Sequence, residues 1–421
     1  MKVLIKNANI LSMKGEEIFE SDLLIEGSLI KKIEKNIDCQ ADKIIDGDGM
    51  LLMPGFVNCH THVGMSLFRN YGPETDLMTW LNDYIWPLED KLTGNEVYVA
   101  SKLSFVEMVK NGISCFNDMY FFLDDTIKAA NEVGIRGMVS RGLMTPDPDD
   151  LRIKENLDIY KKYKDSELID VAFGPHAVYT SDFDYLSKIG KLAEDYSMPI
   201  HIHLSETKKE NDDCIENFRM SPTEFLEKAG IFKNRTIAAH GVHLSDRDLD
   251  ILSDNGVSIA HNPASNLKLS SGFMDLGKAM DKGVNVCLGT DSSASNNKLS
   301  ILREMQLTAL VSKLHSSREV SSYEILKMAT INGAKALGLD DKIGTIEEGK
   351  LADLILIDLN NINHIPNNNL ISSLIYSTYE EDIKYTIING KVVYENARVN
   401  GINEGNLLAE AIDSSKNLGI L

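Results

Sequence analysis

The sequence predicts an α/β chain: a TIM barrel of eight parallel β/α units, with a small β-sandwich built from both chain ends. Three observations predict it. Eight short apolar segments alternate with amphipathic helical patterns between residues 56 and 345, the rhythm of a parallel barrel. The flanks, residues 1–55 and 346–421, read instead as strands and turns. The polar residues best able to do chemistry fall where the apolar segments end, and barrel chemistry sits at the C-terminal strand ends.

In chain order, strand patterns cover residues 3–11, 23–33 and 43–45, the last just before Asp46-Gly47-Asp48-Gly49. Barrel strands are expected at 56–60, 113–118, 137–142, 170–174, 200–204, 236–240, 257–261 and 284–289. Helical periodicity fills 94–109, 186–196 and 246–254 between them, and 323–337 after the last. Strands return at 352–357 and 385–394, the second with an Asn389-Gly390 hairpin turn. Residues 360–369 are an Asn-rich loop. Three regions follow: 1–55 as the N-terminal part of the sandwich, 56–345 as the catalytic barrel, and 346–421 as the rest of the sandwich and a tail. A chain of 421 residues suits one large barrel with an accessory module.

Composition narrows the function classes. Hydrophobic residues make up 43% and charged ones 25%, ordinary for a globular enzyme. The formal net charge of −20 repels phosphates and anionic membranes, so neither nucleic acid nor a membrane is an expected partner. Five dispersed cysteines (Cys39, Cys59, Cys115, Cys214 and Cys287) form no C-x-x-C pair, which points to free thiols in a reducing compartment. The first residues carry a charge-interrupted strand pattern, not a leader, and no apolar run approaches a membrane span. A cytoplasmic protein is expected, and a homo-oligomer.

The chemistry begins at Pro54-Gly55-Phe56-Val57-Asn58-Cys59-His60-Thr61-His62. Residues two apart on a strand share a side, so His60 and His62 can grip one metal ion while Cys59 points away. Three later segments repeat the design: Pro199-Ile200-His201-Ile202-His203-Leu204-Ser205-Glu206, Thr236-Ile237-Ala238-Ala239-His240-Gly241 and Val284-Asn285-Val286-Cys287-Leu288-Gly289-Thr290-Asp291. Each alone reads equally as a core histidine or a capping aspartate. Four strand ends offering nitrogen and carboxylate ligands together describe a zinc-type site.

The order H-x-H, H-x-x-E, A-H-G, G-T-D resembles the amidohydrolase superfamily, in particular the 5-methylthioadenosine/S-adenosylhomocysteine deaminase family, over nearly the whole chain. Supporting segments are Phe173-Gly174-Pro175-His176, His261-Asn262-Pro263-Ala264-Ser265-Asn266-Leu267-Lys268 and Gly289-Thr290-Asp291-Ser292-Ser293-Ala294-Ser295-Asn296-Asn297. The resemblance implies one divalent metal per chain, zinc first, held by His60, His62, His203 and Asp291. Asp291 is then also the acceptor of the attacking water's proton, and His240 stabilises the oxyanion. Glu206 shuttles a proton to the substrate ring. His176 stands where binuclear relatives carry a bridging lysine, which favours a single metal. His201 shares a side with His203 but lies one pleat deeper, in the core or supporting a ligand. His261 reads as structural support, and His243, His315 and His364 as ordinary helix or loop histidines.

For the substrate, the spacing of Trp80 and Glu89 resembles that of adenosine-type deaminases, where the acid takes the ribose diol; a carboxylate accepts two hydroxyl hydrogen bonds well. Arg141 and Arg152 match arginines that S-adenosylhomocysteine-accepting relatives use for the amino acid carboxylate, although Arg152 reads equally as a helix-surface charge. His176 is expected to face the nucleoside. The implied reaction is deamination of a 6-aminopurine nucleoside to the inosine analogue and ammonia. Next ranks an aminohydrolase or chlorohydrolase of a free base or triazine, such as guanine; last, a non-enzymatic scaffold on the same fold.

Overall fold

A computed structural model describes residues 1–73 and 75–421. Five strands open the chain: β1 (Lys2–Leu11), β2 (Ile18–Glu26), β3 (Leu29–Glu34), β4 (Lys43–Asp46) and β5 (Met50–Pro54). The barrel follows as β6 (Phe56–Thr61), β7 (Ile113–Tyr120), β8 (Arg136–Leu143), β9 (Ile169–Pro175), β10 (Ile200–Leu204), β11 (Thr236–His240), β12 (Ser258–His261) and β13 (Asn285–Leu288). Strands β14 (Leu354–Asp358), β15 (Ile383–Ile388), β16 (Lys391–Glu395) and β17 (Arg398–Val399) return to the first group.

Strands β6 to β13 pair in parallel, in sequence order, with helices between them. Every residue of β6, β7, β10 and β11 is buried, because the helices cover one side and the barrel core the other. Strands buried on both sides need not alternate apolar with solvated residues; the polar residues they do carry, such as Asn58 in β6, Asn117 and Asp118 in β7 and the histidines of β10, are buried as well. The ladder does not run across β13 and β6. There the amides of Thr290 and Asp291 both donate to the carbonyl of His60, at 3.1 and 2.9 Å. Asn58 grips Thr290 from both sides, accepting from its amide at 2.9 Å and donating to its hydroxyl at 2.8 Å.

Both chain ends share one nine-stranded mixed sheet, in which β14 lies antiparallel to β5. Its first half curls back on its second: the amide of Ala352 donates to Ser28 and that of Ile30 to Lys350, each at 2.8 Å. Ile5, Ile10, Leu23, Ile25, Leu52, Leu356 and Ile387 fill the resulting sandwich core. Arg136, at the start of β8, pairs with Asp353 at 2.6 Å with both side chains buried, tying barrel to sandwich.

Three elements differ from the sequence reading. Residues 23–33 are not one strand but a hairpin, turned at Gly27, whose φ of +63° suits glycine. The helix read at 323–337 breaks at Thr330 into Ser322–Ala329 and Ile331–Leu337. Thr330 leaves helical geometry while its hydroxyl donates to the Leu326 carbonyl at 2.6 Å, the local competition expected of threonine. The tail contains a helix, Glu404–Leu418, which buries Leu407, Ala411 and Leu418 and packs on the barrel helix Gly94–Lys110. No helix among the described residues is long and apolar enough to cross a membrane.

Candidate metal centre and active cleft

His60 is the penultimate residue of β6, and His62 lies one residue past that strand; His203 is the penultimate residue of β10, His240 ends β11, and Asp291 follows β13. The barrel brings these five to one place at its C-terminal mouth. His60 Nε2 and His62 Nε2 each lie 3.5 Å from Asp291 Oδ1, and His203 Nε2 is 3.3 Å from His62 Nε2. Two overlapping groups, His60–His62–Asp291 and His60–His203–His240, keep their ligand atoms within 4.8 Å.

The hydrogen bonds behind these rings decide which nitrogens are bare. His62 Nδ1 lies 2.6 Å from the Met119 carbonyl and His203 Nδ1 2.8 Å from the His176 carbonyl. A carbonyl only accepts, so both Nδ1 atoms carry the proton and both Nε2 lone pairs face the site. His60 Nε2 is buried with no hydrogen-bond partner. Burial holds the His60 imidazole down to about 3, which keeps it neutral. Three bare imidazole nitrogens around a carboxylate fit a divalent zinc-type ion.

Asp291 is held in the left-handed region, φ +60°, a strained conformation for a non-glycine residue. Its Oδ2 accepts from Ser265 Oγ at 2.5 Å and Ser295 Oγ at 2.9 Å, and its Oδ1 from the Ser292 amide at 2.7 Å. Burial works to raise this carboxyl, but the surrounding imidazoles of His60, His62 and His240 outweigh it and hold it well below the usual range. His240 (φ +76°) donates from Nδ1 to Asn266 Oδ1 at 2.8 Å, leaving Nε2 3.7 Å from Glu206 Oε2. Burial raises the Glu206 carboxyl, and His240 opposes that shift. Burial would lower His240, but the carboxylates of Glu206 and Asp291 raise it on balance. The two side chains therefore form a pair able to exchange a proton. Beneath them Glu210 accepts the amides of Ser205 and Glu206, at 3.1 and 2.8 Å, clamping a turn in which Ser205 has φ +49°.

Above the metal cluster opens a cleft of about 690 Å³, its solvent mouth included, lined mostly by apolar side chains. Trp80, Glu89, His176, Glu206 and His240 all reach its wall. In an unbroken helix of ~3.6 residues per turn, nine positions would put Trp80 and Glu89 on opposite faces. The wider turn at Leu81–Ile85 removes part of that offset and lets both face the cleft. Desolvation pushes Glu89 up to about 7, with the Tyr120 hydroxyl pulling the other way.

Arg141 and Arg152 stand behind the wall. Arg141 donates to Glu155 at 2.7 Å and to the Gly142 carbonyl at 3.0 Å, and lies 4.8 Å over the Phe121 ring. Arg152 donates to the carbonyls of Met144 and Pro146. Phe121, Gly142 and Met144 are cleft residues, so both guanidinium groups stand next to the wall without lining it. Among the described residues no lysine or arginine lines the cleft, while Glu89, Glu206 and Asp291 do.

Sequence reasoning missed Tyr179, Tyr120 and Phe121 on the wall, and Ser265, Ser295 and Asn266 behind the site. The serines and Asn266 lie inside the motifs quoted for the resemblance, and that was the available signal. His261 is buried and packs edge-on against Phe273.

The amidohydrolase family model matches residues 51–393. A 5-methylthioadenosine/S-adenosylhomocysteine deaminase of Caldanaerobacter subterraneus subsp. tengcongensis is 43% identical, over 99% of each chain. A 5'-deoxyadenosine deaminase of Methanobrevibacter smithii is 40% identical, over 97% of this chain and 96% of its own. Among solved structures, an adenosine deaminase from Xanthomonas campestris with bound zinc superposes with a TM-score of 0.95 at 29% identity, over 100% of this chain and 99% of that one. The match runs through the ligand-bearing strands and into both halves of the sandwich, and on it this chain belongs to the amidohydrolase family.

Proposed function

We propose that the chain is a zinc-dependent aminohydrolase that converts a 6-aminopurine nucleoside to its inosine analogue and ammonia. The substrates are 5′-methylthioadenosine, S-adenosylhomocysteine, 5′-deoxyadenosine or adenosine. One observation carries the reading: the Glu206–His240 pair stands beside the His60, His62, His203 and Asp291 cluster at the floor of an apolar cleft that has a carboxyl group, Glu89, on its wall.

The residues present fit one divalent ion held by His60, His62, His203 and Asp291. Bound there, it would acidify a water molecule and polarise it for attack on the purine C6. Asp291, held ionised, accepts the proton that water gives up. His240 donates from Nε2 to the oxygen developing negative charge at C6, a role that costs little reorganisation because Asn266 already fixes the ring. Glu206 delivers a proton to the ring nitrogen as the C–O bond forms. Proton return to the exocyclic nitrogen breaks the C6–N bond and releases ammonia. The apolar walls keep bulk water from competing for these hydrogen bonds.

In this reading Trp80 packs along the nucleoside, His176 contacts it near the floor, and Glu89 accepts both ribose hydroxyls. Arg141 and Arg152 serve the 5′ end, and a substrate carboxylate has to compete with Glu155 for Arg141. A free base or triazine would leave Glu89 without a diol, which favours the nucleoside. We also place the enzyme in the cytoplasm as a homo-oligomer. Five unpaired cysteines support the first, and Leu310 and Leu314, left exposed on the helix Ile301–His315, support the second. The test is loss of adenine absorbance with ammonia release across these four nucleosides and guanine. Turnover of guanine alone would replace the reading.

A further inference from the structure

His62 fixes its protonated nitrogen on the Met119 carbonyl of β7, and His203 on that of His176, just past β9. His60 does not. Its Nδ1 points across the barrel, from β6 to β10, and lies 2.9 Å from Nε2 of His201. These strands are not neighbours in the sheet, so the contact spans the interior. Barrel-strand carbonyls are mostly taken up by the ladder, so a side chain is what can meet His60 there.

Two imidazoles in a hydrogen bond need one donor and one acceptor, and the next link decides which is which. Ser140 Oγ donates to the Asp118 carbonyl at 2.8 Å, which uses its only proton. His201 Nδ1 faces that same oxygen at 3.5 Å. An oxygen without a free proton can only accept, so His201 carries its proton on Nδ1. His201 Nε2 is then a bare acceptor, and His60 donates to it from Nδ1. The consequence falls on the opposite edge of the His60 ring, where Nε2 stays deprotonated, buried and unpartnered, 3.5 Å from Asp291.

We propose that His201 is a positioning residue for the metal: through the chain Asp118–Ser140–His201–His60 it fixes the His60 tautomer and ring plane, so that His60 Nε2 is presented as a ligand. The inference rests on the metal-dependent reading above. A neutral imidazole does this without adding charge beside Asp291 and Glu206. His201 itself is fully buried and takes no part in the chemistry.

The test is zinc affinity, measured by competition with a chromophoric chelator, so it needs no substrate. His201→Gln keeps an acceptor oxygen near the place of Nε2, and His201→Asn is one methylene too short to reach His60. Losing such a support weakens metal binding roughly 10- to 100-fold. The expected order is wild type close to His201→Gln, with His201→Asn weaker by that factor and apparent melting temperatures of the two zinc-free variants close together. Equal affinity in all three overturns the proposal. So does a His201→Gln variant as weak as His201→Asn, because packing and not hydrogen-bond acceptance would then be responsible. If either variant does not fold, nitrogen-15 NMR of the zinc-free wild type decides: His60 must carry its proton on Nδ1, and a proton on Nε2 overturns the assignment. Wild type that binds no zinc would instead remove the metal-dependent reading itself.

Discussion

His60 and Asp291 meet twice. The Asp291 amide donates to the His60 carbonyl at 2.9 Å, and the Asp291 carboxylate faces His60 Nε2 at 3.5 Å. The first contact closes the barrel where β13 and β6 share no ladder; the second holds two ligands on that same seam. Barrel closure and metal-site geometry therefore depend on each other.

Removing the metal should loosen this seam. An ion held by His60, His62, His203 and Asp291 would stabilise the fold by mass action, about 4 kcal/mol when free zinc exceeds its dissociation constant a thousandfold. Calorimetry before and after chelation should show a lower melting temperature without zinc, restored by one equivalent per chain. Two tightly held ions in the active protein would contradict the single-ion assignment.

Glu206→Gln should keep its zinc and lose turnover by roughly a hundredfold to ten-thousandfold, the range for general acid–base groups. The amide fills the same space beside His240 and Ser271 but cannot carry a proton. Metal analysis paired with an ammonia assay checks it. Near-normal turnover at full zinc occupancy would remove Glu206 from the proton path.

Glu89 makes nucleoside binding pH-dependent. Its carboxyl is pushed up to about 7, so in the free enzyme it is ionised above that pH and protonated below. The ionised form accepts both ribose hydroxyls, so kcat/KM for a nucleoside should fall as pH drops through 7. Glu89→Gln should flatten this limb, and Glu89→Ala should cost about 1.5–3 kcal/mol, the worth of hydrogen bonds to a charged group. A 2′,3′-dideoxy substrate should be insensitive to both changes; an equal loss on it would rule out diol binding.

Preference at the 5′ end should respond to Arg141 and Glu155 in opposite directions. Arg141→Met should lower kcat/KM for S-adenosylhomocysteine relative to 5′-methylthioadenosine by roughly tenfold to a hundredfold, as expected for a lost charged hydrogen bond. Glu155→Gln frees the guanidinium and should raise the same ratio by roughly two- to fivefold, because exposed ion pairs are weak. The ratio cancels damage to the shared purine site. Variants that slow both substrates equally would assign Arg141 to the wall alone.

The sequence by itself determined the barrel, its eight strands and the candidate ligands at their ends. A buried strand is a local apolar run, and side-chain alternation puts His60 and His62 on one side without reference to the rest of the chain. It also separated His201 from His203 by depth. The turn at Gly27 is written in Glu26-Gly27-Ser28 and was missed because the apolar pattern resumes at once at Leu29; the break at Thr330 was missed because apolar patterning continues through it. Only the tertiary structure decided which groups stand behind the ligands: His201 behind His60, 141 residues away, Ser265 and Ser295 behind Asp291, Asn266 behind His240. It also decided that Arg141 is already paired with Glu155, and that a widened helical turn brings Trp80 and Glu89 to one cleft. The reason is physical: periodicity sets the direction of each side chain relative to its own strand or helix, whereas a hydrogen-bond partner is set by how distant strands approach across the barrel.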